Sequence, residues 1–318
     1  MTDTTIHYIM IYMVKIIESI PNFSEGRNAD VIESLAIAAK SVPGATLLDY
    51  SADADHNRSV FTLLGAPGDV AEAVFRMCAI ARDKIDMSKH SGVHPRIGAA
   101  DVIPFVPVKG CEMSECVDIS RQVASRIASE LSIPCFLYEE SCTCEIRRNL
   151  ANIRKGGFEG MARKLMQAEW APDFGERAIH PTAGATAVGA RRPLVAFNIN
   201  LDTADLSVAK KIAKTIRESD GGIKYCKAIG VELNGRGATQ VSMNLTNCDA
   251  TPMYVVFEAV RAEAGKYGAA IMSSEIIGLV QAKNLVACAA HYLKLESFAC
   301  DKQILDNYVN EQRNSRFI

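Results

Sequence analysis

Short apolar runs and longer amphipathic stretches alternate along this chain in one order, and they do so twice. Val14 to Ile20 is isoleucine-rich and reads as a buried strand. The polar loop Pro21-Asn22-Phe23-Ser24-Glu25-Gly26-Arg27 follows, and Asn28 is placed to cap a helix running to about Ser41. Ala45 to Tyr50 and Ser59 to Gly65 read as strands, and Pro67 opens a helix to Lys84. Ala99 to Pro107 is a fourth strand, so the order is β-α-β-β-α-β. A helix (Met113 to Leu131), a strand (Pro134 to Tyr138) and helical pieces to Gln167 complete this half. The second half repeats the order: strand Leu194 to Ile199, helix Ala204 to Arg217, strands Cys226 to Leu233 and Thr239 to Leu245 around the turn Asn234-Gly235-Arg236-Gly237, helix Pro252 to Tyr267, and strand Ala270 to Ser274. The expected fold is α/β (α+β): two sandwich-like subdomains, each a mixed β-sheet with helices on one face.

A chain of 318 residues exceeds what one core usually supports, which agrees with two domains. The expected division is an N-terminal extension (residues 1–12), a first subdomain (13–178) and a second (179–318). The linker is expected within Ala171 to Pro181, with a ligand cleft where the halves meet. The run Ile6 to Tyr12 is too short to span a bilayer and lacks the basic start of a signal peptide. With 35 basic and 37 acidic residues there is no polybasic field for nucleic acid or an anionic membrane. The ten cysteines are scattered without a CxxC pair, as in a chain with reduced thiols in the cytoplasm.

Chemistry concentrates in a few loops. In Ser91-Gly92-Val93-His94-Pro95-Arg96-Ile97-Gly98, Pro95 forbids a regular helix and biases His94 towards extended backbone, while the glycines allow sharp turns. An imidazole there can carry protons near neutral pH, although many loop histidines only bond a nearby carbonyl. Asp49, Asp53, Asp55, His56, Asn57 and Arg58 cluster between two strands, where they can bind a cation, pair with bases or solvate a turn. Asn22, Ser24, Glu25 and Arg27 stand at the end of a buried strand, a common place for an α/β site. The run His180 to Arg192 combines small residues, which let a flat ring approach backbone, with cationic ends suited to carboxylates; a flexible linker has the same composition. His90 and His94 have zinc-ligand spacing only on a helix, which Gly92 and Pro95 oppose, so no metal is expected. No Gly-x-Ser-x-Gly elbow is present.

Five segments in order, Pro21-Asn22-Phe23-Ser24-Glu25-Gly26-Arg27, His94-Pro95-Arg96-Ile97-Gly98-Ala99, Trp170-Ala171-Pro172-Asp173-Phe174-Gly175, Gly184-Ala185-Thr186 with Gly189-Ala190-Arg191, and Ala196-Phe197-Asn198-Ile199-Asn200, resemble the glutamate formiminotransferase (formimidoyltransferase) family, which also forms the transferase half of formiminotransferase-cyclodeaminase. The resemblance implies a folate-dependent cytoplasmic transferase of histidine breakdown, two α/β subdomains around a folate channel, and a homodimer formed through the N-terminal half. It places the family's catalytic histidine on His94 and its folate-contacting stretch on Gly175 to Gly184, including His180, Pro181 and Thr182, with a further contact at Gly221. One departure is Pro181-Thr182-Ala183, where the family carries Pro-Ser-Trp.

The implied reaction moves the formimino group of N-formimino-L-glutamate to N5 of tetrahydrofolate, the acceptor substrate, with no metal. His94 would act as general acid and base. From charge type, Asp49 or Asp53 could orient the formimino cation, and Arg58, Arg96 or Arg191 could grip substrate carboxylates. Transfer of formyl from N-formylglutamate, folate binding without turnover, and a purely structural two-domain scaffold are the alternatives.

Overall fold

Asn28 begins the first helix as its position requires: its side chain accepts from the backbone N–H of Asp30 and Val31, satisfying two donors that a helix start leaves free. Pro67 similarly occupies the first turn of the second helix, where its missing N–H costs nothing. The computed structural model describes residues 15–54, 56–92, 95–233 and 237–307. His94, Asp55, the 1–12 extension and the turn Asn234-Gly235-Arg236 lie outside them.

The chain divides into two units after Arg192. In the first, β1 (Ile16–Ser19), β2 (Asn22–Phe23), α1 (Ala29–Lys40), β3 (Ala45–Asp53), β4 (Arg58–Gly65), α2 (Pro67–Lys84) and β5 (Ala100–Lys109) follow the expected order. β1 and β2 both lie between β4 and β5, as one strand broken at Pro21. The spatial order is therefore β3, β4, β1/β2, β5, with every one of these pairings antiparallel. Next come α3 (Met113–Leu131), β6 (Cys135–Glu139), α4 (Glu145–Arg148), α5 (Leu150–Arg154), α6 (Gly157–Leu165) and β7 (Thr186–Ala190). β7 inserts between β5 and β6, parallel to both, which makes this sheet mixed.

Helices α1, α2 and α3 pack on one sheet face over Phe23, Phe61, Leu63 and Phe105, all fully buried. Burial of each such side chain stabilises by about 1.5–3 kcal/mol. The helices are not confined to that face, however. Ile153 of α5 and Met161 and Leu165 of α6 join Trp170 in covering Val102, Phe136, Tyr138 and Ala187 on the other side.

In the second unit, β8 (Val195–Leu201), α7 (Leu206–Ile216), β9 (Cys226–Leu233), β10 (Ala238–Leu245), α8 (Met253–Gly265) and β11 (Ile271–Ile277) precede α9 (Ala282–Leu293). Their spatial order, β9, β10, β8, β11, repeats that of β3, β4, β1/β2, β5. Here the expected mixed sheet is antiparallel throughout, because β10 separates the two strands that α7 connects. Val195, Phe197, Ile199 and Leu201 alternate towards α7 and α8 and form this unit's core.

The boundary between the units is not at 178/179, and Ala171 to Pro181 is no linker. Asp173 and Phe174 pair with Cys135 of β6, and His180 to Ala190 runs straight into the first sheet. Ala183, Ala185, Ala187 and Ala190 are buried because β7 is covered on both faces. The small residues there serve close strand packing.

Candidate active site

Three loops of the first unit are tied together by Asn57. Its backbone has φ +48°, a left-handed conformation that asparagine tolerates better than most residues. Its Oδ1 accepts from Gly26 N at 2.9 Å, its Nδ2 donates to Ser91 O at 3.0 Å, and its carbonyl accepts from His90 Nε2 at 2.9 Å. Gly26 and Gly92 lie so close to the 53–58 turn that a Cβ on either would overlap its backbone. On the far side, Ser24 Oγ donates to Gly98 O at 2.7 Å. Ser24, His56, Asn57, Arg58, His90, Arg96 and Asp101 line one depression at this junction.

Arg96 is the most heavily bonded cation there. It makes a two-point pair with Glu159 of α6, Nη1 to Oε2 at 2.9 Å and Nη2 to Oε1 at 2.6 Å. It also donates from Nε to His90 Nδ1 at 3.2 Å and from Nη2 to His90 O at 3.3 Å. An arginine Nε–H only donates, so His90 Nδ1 is an acceptor and the ring proton sits on Nε2, the atom facing Asn57 O. The Arg96 contacts hold the Glu159 carboxyl below its usual pKa range.

Below this layer Asp101 is buried. It accepts from Ile97 N at 2.9 Å through Oδ1 and pairs through Oδ2 with Arg154 Nη2. Arg58 is close by. Burial first, and the neighbouring Arg154 charge second, pull its pKa down to about 10, against the opposite pull of Asp101 and Asp53. It stays cationic at neutral pH.

The structure brings only some of the expected site residues together. Arg58 and Arg96 line the depression, and Asp53 is the register partner of Arg58. Asp53 Oδ1 accepts from His56 N at 2.8 Å, and its Oδ2 lies 3.2 Å from His56 Nδ1. Arg96, expected to grip a ligand carboxylate, grips that of Glu159. Asp49 stands further along β3, exposed, on the face of the strand that also carries Asp53. Arg191 lies past the end of β7, within charge range of Glu18 and Tyr138. Burial raises the pKa of both, Tyr138 to about 12, and Arg191 partly offsets this.

The His180 to Gly184 turn borders the same loop. Ala99 N donates to Ala183 O at 2.9 Å, Ala185 N to Ile97 O at 3.0 Å, and Met87 N to Thr182 O at 2.8 Å. His180 Nδ1 accepts from Thr182 N and Ala183 N, closing its own turn, while Pro181 is exposed and Gly184 adopts φ +75°. A Cβ on Gly175, at φ +93°, would meet Pro134, just before β6, and Ala128 of α3. Gly221 belongs to the second unit, in a turn at φ +86° after α7. The first-strand loop serves mainly to join: Glu25 Oε1 accepts from Arg27 N and Asn28 N, and Arg27 Nε donates to Ala54 O at 2.8 Å.

Sequence reading missed Asp101, Arg154 and Glu159, and the join made by His90. Nothing local distinguishes them, since the ion pairs of Asp101 with Arg154 and of Arg96 with Glu159 span more than fifty residues and the His90–Arg96 bond spans six. It also passed over a polar ladder in the second unit. Gln240 Nε2 donates to Asn200 Oδ1 at 2.8 Å and Glu275 Oε1 at 2.6 Å, and Asn200 Nδ2 to Ser273 Oγ at 3.0 Å. The alternation Phe197-Asn198-Ile199-Asn200 carried that signal, for it turns both asparagines away from the core. Among the described residues no three His, Cys, Asp or Glu side chains stand together as a metal site. Nor is any described helix long and apolar enough to cross a membrane.

The formiminotransferase domain's N-terminal subdomain matches residues 16–191, and the formiminotransferase domain matches residues 196–309. The chain is 58% identical over 297 residues to glutamate formimidoyltransferase of Streptococcus pyogenes serotype M1, covering 93% of this chain and 99% of that one. It is 41% identical to glutamate formimidoyltransferase of Thermoplasma acidophilum, covering 90% and 94%. It is also 41% identical to the formimidoyltransferase-cyclodeaminase of Mus musculus, of which it spans 55%. The two matched domains meet within a few residues of the division after Arg192, and the chain belongs to the formiminotransferase family.

Proposed function

We propose that this chain is a folate-dependent transferase that moves the formimino group of N-formimino-L-glutamate to N5 of tetrahydrofolate and releases glutamate, as in histidine breakdown. The observation that carries the reading is that the segment Arg96 to Ala99, directly after His94 in sequence, meets both the cation-bearing depression, through Arg96, and the His180 to Gly184 turn, through Ile97 and Ala99. The near full-length relatives named glutamate formimidoyltransferase support it.

N5 of the reduced pterin attacks the planar amidine carbon and gives a tetrahedral intermediate. Glutamate must then leave as an amine, because an amide anion is a very poor leaving group. His94 takes the proton from the attacking nitrogen and returns it to the departing one, a role worth about 10²–10⁴ in rate. Holding both substrates in contact contributes up to about 7–11 kcal/mol more. Arg58 is the cation for a substrate carboxylate, with Arg191 further along the same sheet, and Asp53 or Asp49 orients the protonated formimino group. Gly175, His180, Pro181, Thr182, Gly184 and Gly221 contact the folate. We place it in the cytoplasm as a homodimer acting on small molecules, without nucleic acid, membrane or metal.

His94→Ala tests the reading. The variant is expected to fold and bind tetrahydrofolate while losing at least about 100-fold in turnover. Normal turnover in that variant removes His94 from the mechanism. Assaying N-formiminoglutamate and N-formylglutamate side by side identifies the donor, and folate binding without turnover on either marks a non-catalytic binder.

A further inference from the structure

We infer that His90, Arg96 and Glu159 form a clasp that positions the loop holding His94, and that none of the three touches substrate. The inference rests on the reading of His94 given above.

Arg96 reaches back six residues to bond both the ring and the carbonyl of His90, so the two sides of the loop are joined across its neck. His90 spends both ring nitrogens on this join: Nδ1 accepts from Arg96 and Nε2 donates to Asn57 O. A histidine so engaged has both ring nitrogens occupied by hydrogen bonds and none free for proton transfer. The guanidinium plane is set in turn by the two-point pair with Glu159. The start of α6 is shaped around that pair. Gly157 has φ +63°, and a Cβ there would lie 3.2 Å from Arg96 Nη1 and 2.9 Å from Glu159 Oε2.

Stability alone does not account for this arrangement. The Arg96 side chain is 13% exposed but that of Glu159 is 63% exposed, and ion pairs with such an open partner add little to folding. The join ties the two described ends of the His94 loop, His90 and Arg96, to each other and to α6. A shift of about 1 Å in a catalytic group can cost about 100-fold in rate.

Three variants test the clasp: His90→Ala, which removes both ring bonds; Glu159→Gln, which changes only the exposed end; and His90→Asn, which restores an acceptor for Arg96. Hydrogen exchange across residues 86–99 reads the loop directly and requires no activity. Steady-state kinetics with tetrahydrofolate and N-formiminoglutamate reads the consequence. Exchange in the segment should rise about tenfold or more in His90→Ala. Its kcat should fall about 10–100-fold, with both KM values within about twofold. His90→Asn should recover most of the lost kcat, and Glu159→Gln should fall between it and wild type at an unchanged melting temperature. The clasp is overturned by unchanged exchange, by raised exchange with normal kcat, or by KM rising as much as kcat falls. If His90→Ala does not fold, Glu159→Gln carries the same criteria. A wild-type chain that binds tetrahydrofolate yet has no turnover sinks the functional reading and the clasp's catalytic part; unchanged exchange in active variants sinks the clasp alone.

Discussion

The carbonyl of Asn57 accepts the Nε2 proton of His90 at 2.9 Å, from a backbone turned into the left-handed region at φ +48°. That one bond fixes the ring's tautomer and ties the acidic β3–β4 turn to the loop after α2. The same asparagine holds Gly26 and Ser91 through its side chain, so the geometry of three loops depends on one residue with an unusual backbone.

Asn57→Ala should therefore be costly. It removes two buried side-chain hydrogen bonds and forces a Cβ without compensating polarity into a left-handed conformation, for a total of about 2–4 kcal/mol. Asn57→Gly loses the bonds but relieves the backbone, so it should be milder by about 1 kcal/mol. Urea denaturation of the two variants separates the terms; equal losses would rule out backbone strain.

Asp101 and Arg154 are a buried pair, with side chains 3% and 14% exposed. Asp101→Asn keeps an acceptor for Ile97 N but leaves the Arg154 charge without its counter-ion, at a cost of about 3–5 kcal/mol. Adding Arg154→Met should recover about half of that or more, because the stranded charge goes as well. A double variant no more stable than Asp101→Asn would show that the pair is not the source of the loss.

His180 links stability to pH. Burial, and secondarily the Arg82 charge, lower its pKa in the folded protein below the ordinary value of about 6.5. The unfolded chain thus binds the proton first as the pH falls, and stability drops from about pH 6.5 downwards until the folded-state ring also protonates. His180→Asn retains an acceptor for the turn and removes the titration. Its melting temperature should vary less with pH in that window than that of the wild type; parallel curves would contradict the assignment.

Gly98 marks where the loop and the 180–184 turn touch. A Cβ there would sit 2.5 Å from Ala183 O and 2.9 Å from Ala185 N, so Gly98→Ala must push β7's entry away from β5. We expect a loss of about 1–3 kcal/mol, as for other overpacked sites, together with a higher KM for tetrahydrofolate. Normal stability and KM would mean that the turn can yield without consequence.

Local pattern alone sufficed for the helices that begin at Asn28 and Pro67, since their caps and apolar spacing act within a turn or two. β7 was illegible for the opposite reason. Thr186-Ala187-Val188-Gly189-Ala190 has weak strand propensity, and only the sheet around it makes such a run a central strand. At the candidate site, Arg58 and Arg96 were visible by charge type, but their partners were not. Whether a guanidinium meets Glu159 or a ligand depends on a helix more than sixty residues away.

The amino-acid order by itself determined the duplicated β-α-β-β-α-β plan and the family to which the chain belongs. These rest on periodicity, capping and short motifs, which need no distant partner. The tertiary structure alone decided that β7 completes the first sheet, that the units divide after Arg192, and that His90 and Arg96 lock together. Those outcomes turn on which distant backbones and charges meet once the apolar faces are buried, and linear spacing does not encode that.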